Sequence, residues 1–295
     1  MSHALALLLL AVDCLTRAWR IQLAVWAAGG RLGLRDALAL NLYGEAASTL
    51  TPNRLGGEPA RFVGLTGAGV RPVASLVAIG VEVAAEWPIF LLVGGALVAY
   101  YVPDWHIEAR RWLGRHRAGE LLVIELVVLL VLALIYSMQR MVRAGMIRHR
   151  VRRQWRVAWA HVRRAPLWLL GAGALLTAVS IAARALVLPA LLWGQPDRPP
   201  FGQMFFGALT LIHAPLFVPL PSGGGGIEVA FLSGFAGDFG AHRVMILLLW
   251  RFYTTVLLTV LGGYALIRSV GYRAATQLLK VGWFRRSKGP TEPPG

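Results

Sequence analysis

Residues 36–58, DALALNLYGEAASTLTPNRLGGE, decide the architecture: an apolar segment halted by Pro52 and closed by Gly56, Gly57 and Glu58. A second stretch repeats the design. Residues 203–228, QMFFGALTLIHAPLFVPLPSGGGGIE, run through Pro221 and Ser222 into Gly223, Gly224, Gly225 and Gly226, and end on Glu228. A bilayer-crossing helix needs ~20 apolar residues, and proline stops both segments short of that. Short, Gly/Pro-interrupted hydrophobic segments at matching places in two halves of a chain point to a transporter-type binding site.

Composition fixes the class around this pair. The chain has 295 residues, 57% hydrophobic and 15% charged, with a mean hydropathy of +0.59. A soluble domain would leave such surface in water. A β-barrel would alternate apolar and polar residues over ~10-residue segments, whereas these runs are continuously apolar. The expected fold is all-α, a polytopic helical bundle in the membrane with two re-entrant helical hairpins in an inverted repeat. The net charge of +16, from 30 Lys and Arg, lies between the spans, so the positive-inside rule explains it and nucleic acid is not an expected partner. Cys14 is the single cysteine; no internal disulfide and no zinc pattern can form from it. No cleavable signal peptide pattern surrounds the apolar residues 4–12.

Full spans are expected at about 4–28, 72–101, 120–139, 166–193 and 244–267. They make one transmembrane domain over 1–280, with repeat one at about 36–101 and repeat two at about 203–268. The Pro/Gly-rich tail 281–295 is expected to be disordered. Between the spans lie Arg110 to Arg117 and the very basic 140–164 loop, whose Trp155 and Trp159 fit an amphipathic surface helix. Both motifs are followed by a span bearing a charge: Glu82 comes twenty-four residues after Glu58, and Arg251 twenty-three after Glu228. Three full spans between the motifs place the two hairpins on opposite faces. Arginine placement puts the 140–164 loop and the C-terminus in the cytoplasm of a bacterial inner membrane. The same count puts the N-terminus outside, which a further preceding helix would reconcile.

The two motifs resemble those of the lysylphosphatidylglycerol synthase transmembrane-region family, also called flippase-like. Its Pro-x-x-x-Gly-Glu-x-x-Arg type signature is similar to Pro52 through Glu58 to Arg61. Its Pro-Gly-Gly-x-Gly-x-x-Glu type signature is similar to Pro221 through Glu228. The likeness covers about residues 10–270. This chain departs by the extra Gly57, by Pro59 and by Ser222 in place of a common glycine. No aminoacyl-transferring domain follows, so the resemblance implies a stand-alone lipid-handling or lipid-translocating module and not a synthase.

The residues themselves suggest a phosphate site. Consecutive N–H groups at Gly223 to Gly226 could form an anion nest, or the glycines could serve close helix packing. Glu58 and Glu228 are acids within apolar surroundings, where ionisable groups default to a functional reading with a partner. Arg54 and Arg61 flank Glu58, and Arg61 stands at i+3 from it, within ion-pair reach. Glu82 and Glu86 at i, i+4 would repel unless one is protonated or a cation lies between them; Arg251 is the expected partner of Glu82. Arg184 is expected to pair with Glu125. His213 reads as a packing or capping residue. No nucleophile elbow or metal pattern is present, so no cofactor, no metal and no enzymatic role are expected. The expected cargo is an anionic or phosphate-bearing membrane lipid, and homo-oligomerisation is compatible with the sequence. The alternatives are an intramembrane transferase acting on a polyprenyl-phosphate carrier and a secondary transporter of a small anion.

Overall fold

The computed structural model describes residues 2–103, 167–195, 198–216, 220–236, 238–239 and 242–270. The span expected at 120–139 with Glu125, the loops holding Arg110 to Arg117 and 140–164, and the tail 281–295 lie outside the described residues. Among the described residues every regular element is helical. The elements are α1 (Ser2–Ala27), α2 (Leu34–Leu50), α3 (Gly57–Gly67), α4 (Pro72–Tyr101), α5 (Leu167–Ala185), α6 (Val187–Leu191), α7 (Phe201–His213), α8 (Gly226–Gly234), α9 (Arg243–Arg251) and α10 (Leu257–Val270). Helix α9 runs into α10 through a π-helical turn, Phe252–Val256.

Three helical stretches are long and apolar enough to cross a membrane: Pro72–Tyr101, Leu167–Leu191 and Arg243–Arg268. Helix α1, at 26 residues, has the length too but carries Asp13, Arg17 and Arg20. The helices flanking the motifs are shorter: 17 and 11 residues for α2 and α3, 13 and 9 for α7 and α8. At 1.5 Å per residue they run ~14–26 Å, short of the ~30 Å hydrocarbon core. Polarity is inside-out. Leu91, Leu92, Leu167 and Leu175 are exposed, while Asp13, Arg20, Glu45, Arg61, Glu82 and Arg184 are buried. That distribution suits a lipid solvent, and the protein is a helical membrane bundle.

Helix α1 is the central post, packed against α2, α4, α5 and α6. Each motif hairpin rests on its own apolar cluster. Leu65 of α3 joins Ile21 and Val25 of α1 and Leu40 and Tyr43 of α2. Ile227 and Phe231 of α8 join Val187, Leu188, Met204 and Trp250. Close helix approach depends on small residues, as is usual in membranes. A methyl group on Gly173 of α5 would stand 2.9 Å from Ala85 Cβ of α4. One on Gly262 of α10 would overlap the Leu42 carbonyl oxygen of α2 and stand 2.8 Å from the carbonyl carbon.

Candidate functional site

The two motifs fold alike and meet. Thr51 and Leu220, each before a proline, are extended, at φ −111° and −119°, as a following proline demands. A turn with two consecutive positive-φ residues follows in each copy: Asn53 (51°) and Arg54 (59°), Ser222 (53°) and Gly223 (66°). The Leu55 N–H donates to the Pro52 carbonyl at 3.2 Å, and the Gly224 N–H to the Pro221 carbonyl at 3.0 Å. These are type I′ geometries. Glycine adopts them freely, so Gly223 is unstrained where Arg54 is not. The two turns lie against each other.

Closing the turns uses amides that an anion nest would need. The Gly223 N–H donates to the Leu220 carbonyl, so of the glycine run both Gly223 and Gly224 are already bonded. In the first copy the Gly56 N–H donates to Thr51 Oγ1 at 2.8 Å. Gly56 and Gly57 serve close packing: a Cβ on Gly56 would stand 2.7 Å from Thr51 Cγ2, and one on Gly57 would overlap Ser48 Oγ.

Three groups of charges surround the turns. In the first, Arg184 donates to Asp13 Oδ2 at 2.6 Å and to Glu45 Oε1 at 2.9 Å. Arg17 joins the same two acids at 2.8 and 3.2 Å, and Ser180 Oγ donates to Asp13 Oδ1 at 2.5 Å. Arg54 reaches back from its strained position, and its Nη2 bonds both Glu45 oxygens at 3.1 and 3.0 Å. In the second group, Arg20 sits between Glu82 and Glu86, at 2.7 and 2.5 Å. Its Nη1 donates to Thr177 Oγ1 at 2.8 Å. Arg61 links Glu58 and Glu82 at 3.2 and 3.1 Å, with its Nε buried and unpartnered among the described residues. In the third, Arg251 bonds Glu228 Oε1 at 2.7 Å, and its Nη1 donates to the Ser222 carbonyl at 3.2 Å.

One expected pairing forms and one is corrected. The Glu58–Arg61 pair forms, and Glu228 orients an arginine. Arg251, however, does not bridge to Glu82; each partner lies within its own repeat, Arg61 with Glu82 and Glu228 with Arg251. The reason is connectivity: each post-motif helix is followed in sequence by the span that carries its partner, α3 by α4 and α8 by α9. Arg184 pairs with Asp13 and Glu45; its expected partner Glu125 lies outside the described residues. Asp13, Arg17, Arg20 and Glu45 were not among the expected residues, since they belong to no motif. Their signal was the spacing of Asp13, Arg17 and Arg20 along one face of an apolar helix. His213 packs edge-on against Phe90, with Nδ1 2.7 Å from the Leu209 carbonyl.

A cavity of about 30 Å³ opens between the two turns, lined by Glu45, Arg54, Arg184, Ser222, Trp250 and Arg251 among others. Among the described residues no group of three His, Cys, Asp or Glu could hold a metal ion.

The sequence profile of the lysylphosphatidylglycerol synthase TM region matches residues 2–262. This chain belongs to that family. The match spans both motifs and every residue of the charge groups. Membership ties the protein to membrane lipid. No curated protein matches the chain.

Proposed function

We propose that this member of the family moves an amphipathic, phosphate-bearing lipid between the leaflets of the bacterial cytoplasmic membrane. One observation carries the reading: two copies of one type I′ turn meet tip to tip, each flanked by helices too short to cross the hydrocarbon core. In a membrane such turns are tolerated where they line a protein cavity, and paired broken elements near the midplane are a transporter's binding architecture. The hairpins enter from opposite faces, and the lipid headgroup passes the buried charges while its chains stay in lipid. Glu228 and Glu58 act as positioning residues, aiming Arg251 and Arg61. The protein is read as a translocator without chemistry of its own, its 140–164 loop and C-terminus cytoplasmic.

The test is lipid scrambling by purified protein in vesicles. Wild type is expected to equilibrate a headgroup-labelled phospholipid between leaflets. Glu228→Gln and Glu58→Gln are expected to slow it roughly tenfold or more, since each removes a charge-assisted bond of an arginine. Wild-type rates in both variants sink the mechanism.

A further inference from the structure

The cavity between the turns is built asymmetrically in charge. The ion pairs around it join four guanidiniums, Arg17, Arg54, Arg184 and Arg251, to three carboxylates, Asp13, Glu45 and Glu228. Each guanidinium has a carboxylate partner, and the tally leaves one positive charge in excess around the cavity. The opposite surplus, among Glu58, Glu82, Glu86, Arg20 and Arg61, lies one turn along α1. Its most exposed acid, Glu58, has 49% of its side chain open and does not line the cavity.

Donors are left over at the cavity as well. Arg184 and Arg251 use all three of their nitrogens on protein oxygens. Arg54 spends only Nη2, on Glu45, so among the described residues its Nε and Nη1 remain free to donate. Trp250, only 2% exposed, lines the same cavity, and its indole N–H has no hydrogen-bond partner among the described residues. A buried donor left unsatisfied calls for an explanation. The backbone points the same way: Arg54 occupies a positive-φ position where the other repeat has Gly223, and it brings a planar fork of donors to this spot.

We propose that this cavity seats one phosphate group, bonded by Arg54 and the Trp250 indole and held in the positive field of Arg184 and Arg251. The volume of about 30 Å³ holds about two water molecules, a size comparable with one tetrahedral oxyanion. The seat rests on the lipid reading above for its ligand: the phosphate of a lipid headgroup, which shares its chemistry with free phosphate. It differs from a glycine nest in that guanidinium and indole groups, not backbone amides, make the contacts.

Equilibrium binding in maltoside micelles free of phosphate tests it, with three probes: short-chain phosphatidylglycerol, diacylglycerol of the same chains, and inorganic phosphate. Wild type is expected to bind phosphatidylglycerol at least roughly tenfold more tightly than diacylglycerol. Arg54→Gln is expected to lose about tenfold of that affinity, and Trp250→Phe, which keeps a ring in the core, about three- to tenfold. Arg268→Gln, which removes a positive charge away from the cavity, is expected to lose nothing. Equal affinity for the two lipids overturns the phosphate seat and leaves lipid handling standing, and this arm needs no variant. Unchanged phosphatidylglycerol affinity in both Arg54→Gln and Trp250→Phe overturns it too. If inorganic phosphate alone binds as tightly and shows the same losses, the seat is upheld and the lipid reading falls.

Discussion

Asp13 shows how much rests on single side chains here. It is fully buried and takes hydrogen bonds from Arg17, Arg184 and Ser180. Removing it leaves the buried Arg184 and the half-buried Arg17 to share Glu45 with Arg54. Asp13→Ala is expected to destabilise the protein by about 3–5 kcal/mol, read as a large drop in thermal midpoint in detergent. Arg54 is the contrasting case. Its positive φ of 59° costs a non-glycine residue about 1–3 kcal/mol, and Glu45 keeps Arg17 and Arg184 without it. Arg54→Gly is therefore expected to leave stability within about 1 kcal/mol while phosphatidylglycerol binding falls, which separates a ligand role from a structural one. Sequence could find the acids of the motifs because proline and glycine frame them. It could not pair Arg251 correctly, because repeat position says which residues are equivalent, not which ones touch.

The elements were more legible than their contacts. Proline at the head of each turn and glycine behind it dictate an interruption, and the structure puts one at both places. The overall spacing agrees better than the parts: Pro52 to Glu82 and Pro221 to Arg251 are each thirty residues. The extra residue before Glu228 is thus offset after it. The π-helical turn Phe252–Val256, directly after Arg251, left no such mark in the sequence, although π-bulges often accompany functional sites. Helix contacts depend on where glycines face. At Gly262 an added side chain meets backbone atoms of Leu42, which cannot rotate aside. Gly262→Val is expected to push α10 from α2 at a cost of about 1–3 kcal/mol, measurable by unfolding in mixed micelles. Gly234, with open space around it, should accept alanine with far less loss.

At the scale of the whole molecule, the two turns bring the motifs of the two repeats into contact, and transport on the proposed scheme requires them to part. A short thiol cross-linker joining Asn53→Cys to Ser222→Cys, in a Cys14→Ser background, is expected to stop lipid scrambling. Activity should return when the link is cleaved. Continued scrambling by the linked protein would mean that the tips need not separate. The helical membrane class was readable from composition alone, because continuous apolar runs admit few other solutions. The charged interior was not, because α1 reads as an ordinary span until Arg20 is seen between two glutamates of α4.

The sign reversal between the repeats has an electrical meaning. Glu82 is paired with Arg61, and Arg251 with Glu228, so each of these two charges has a counter-charge within its own repeat. A rocking motion of either repeat would displace a compact dipole through the membrane potential and not a bare gating charge, each of which would be worth ~2.3 kcal/mol per 100 mV. The current accompanying translocation would then report the valence of the cargo, with little contribution from the carrier.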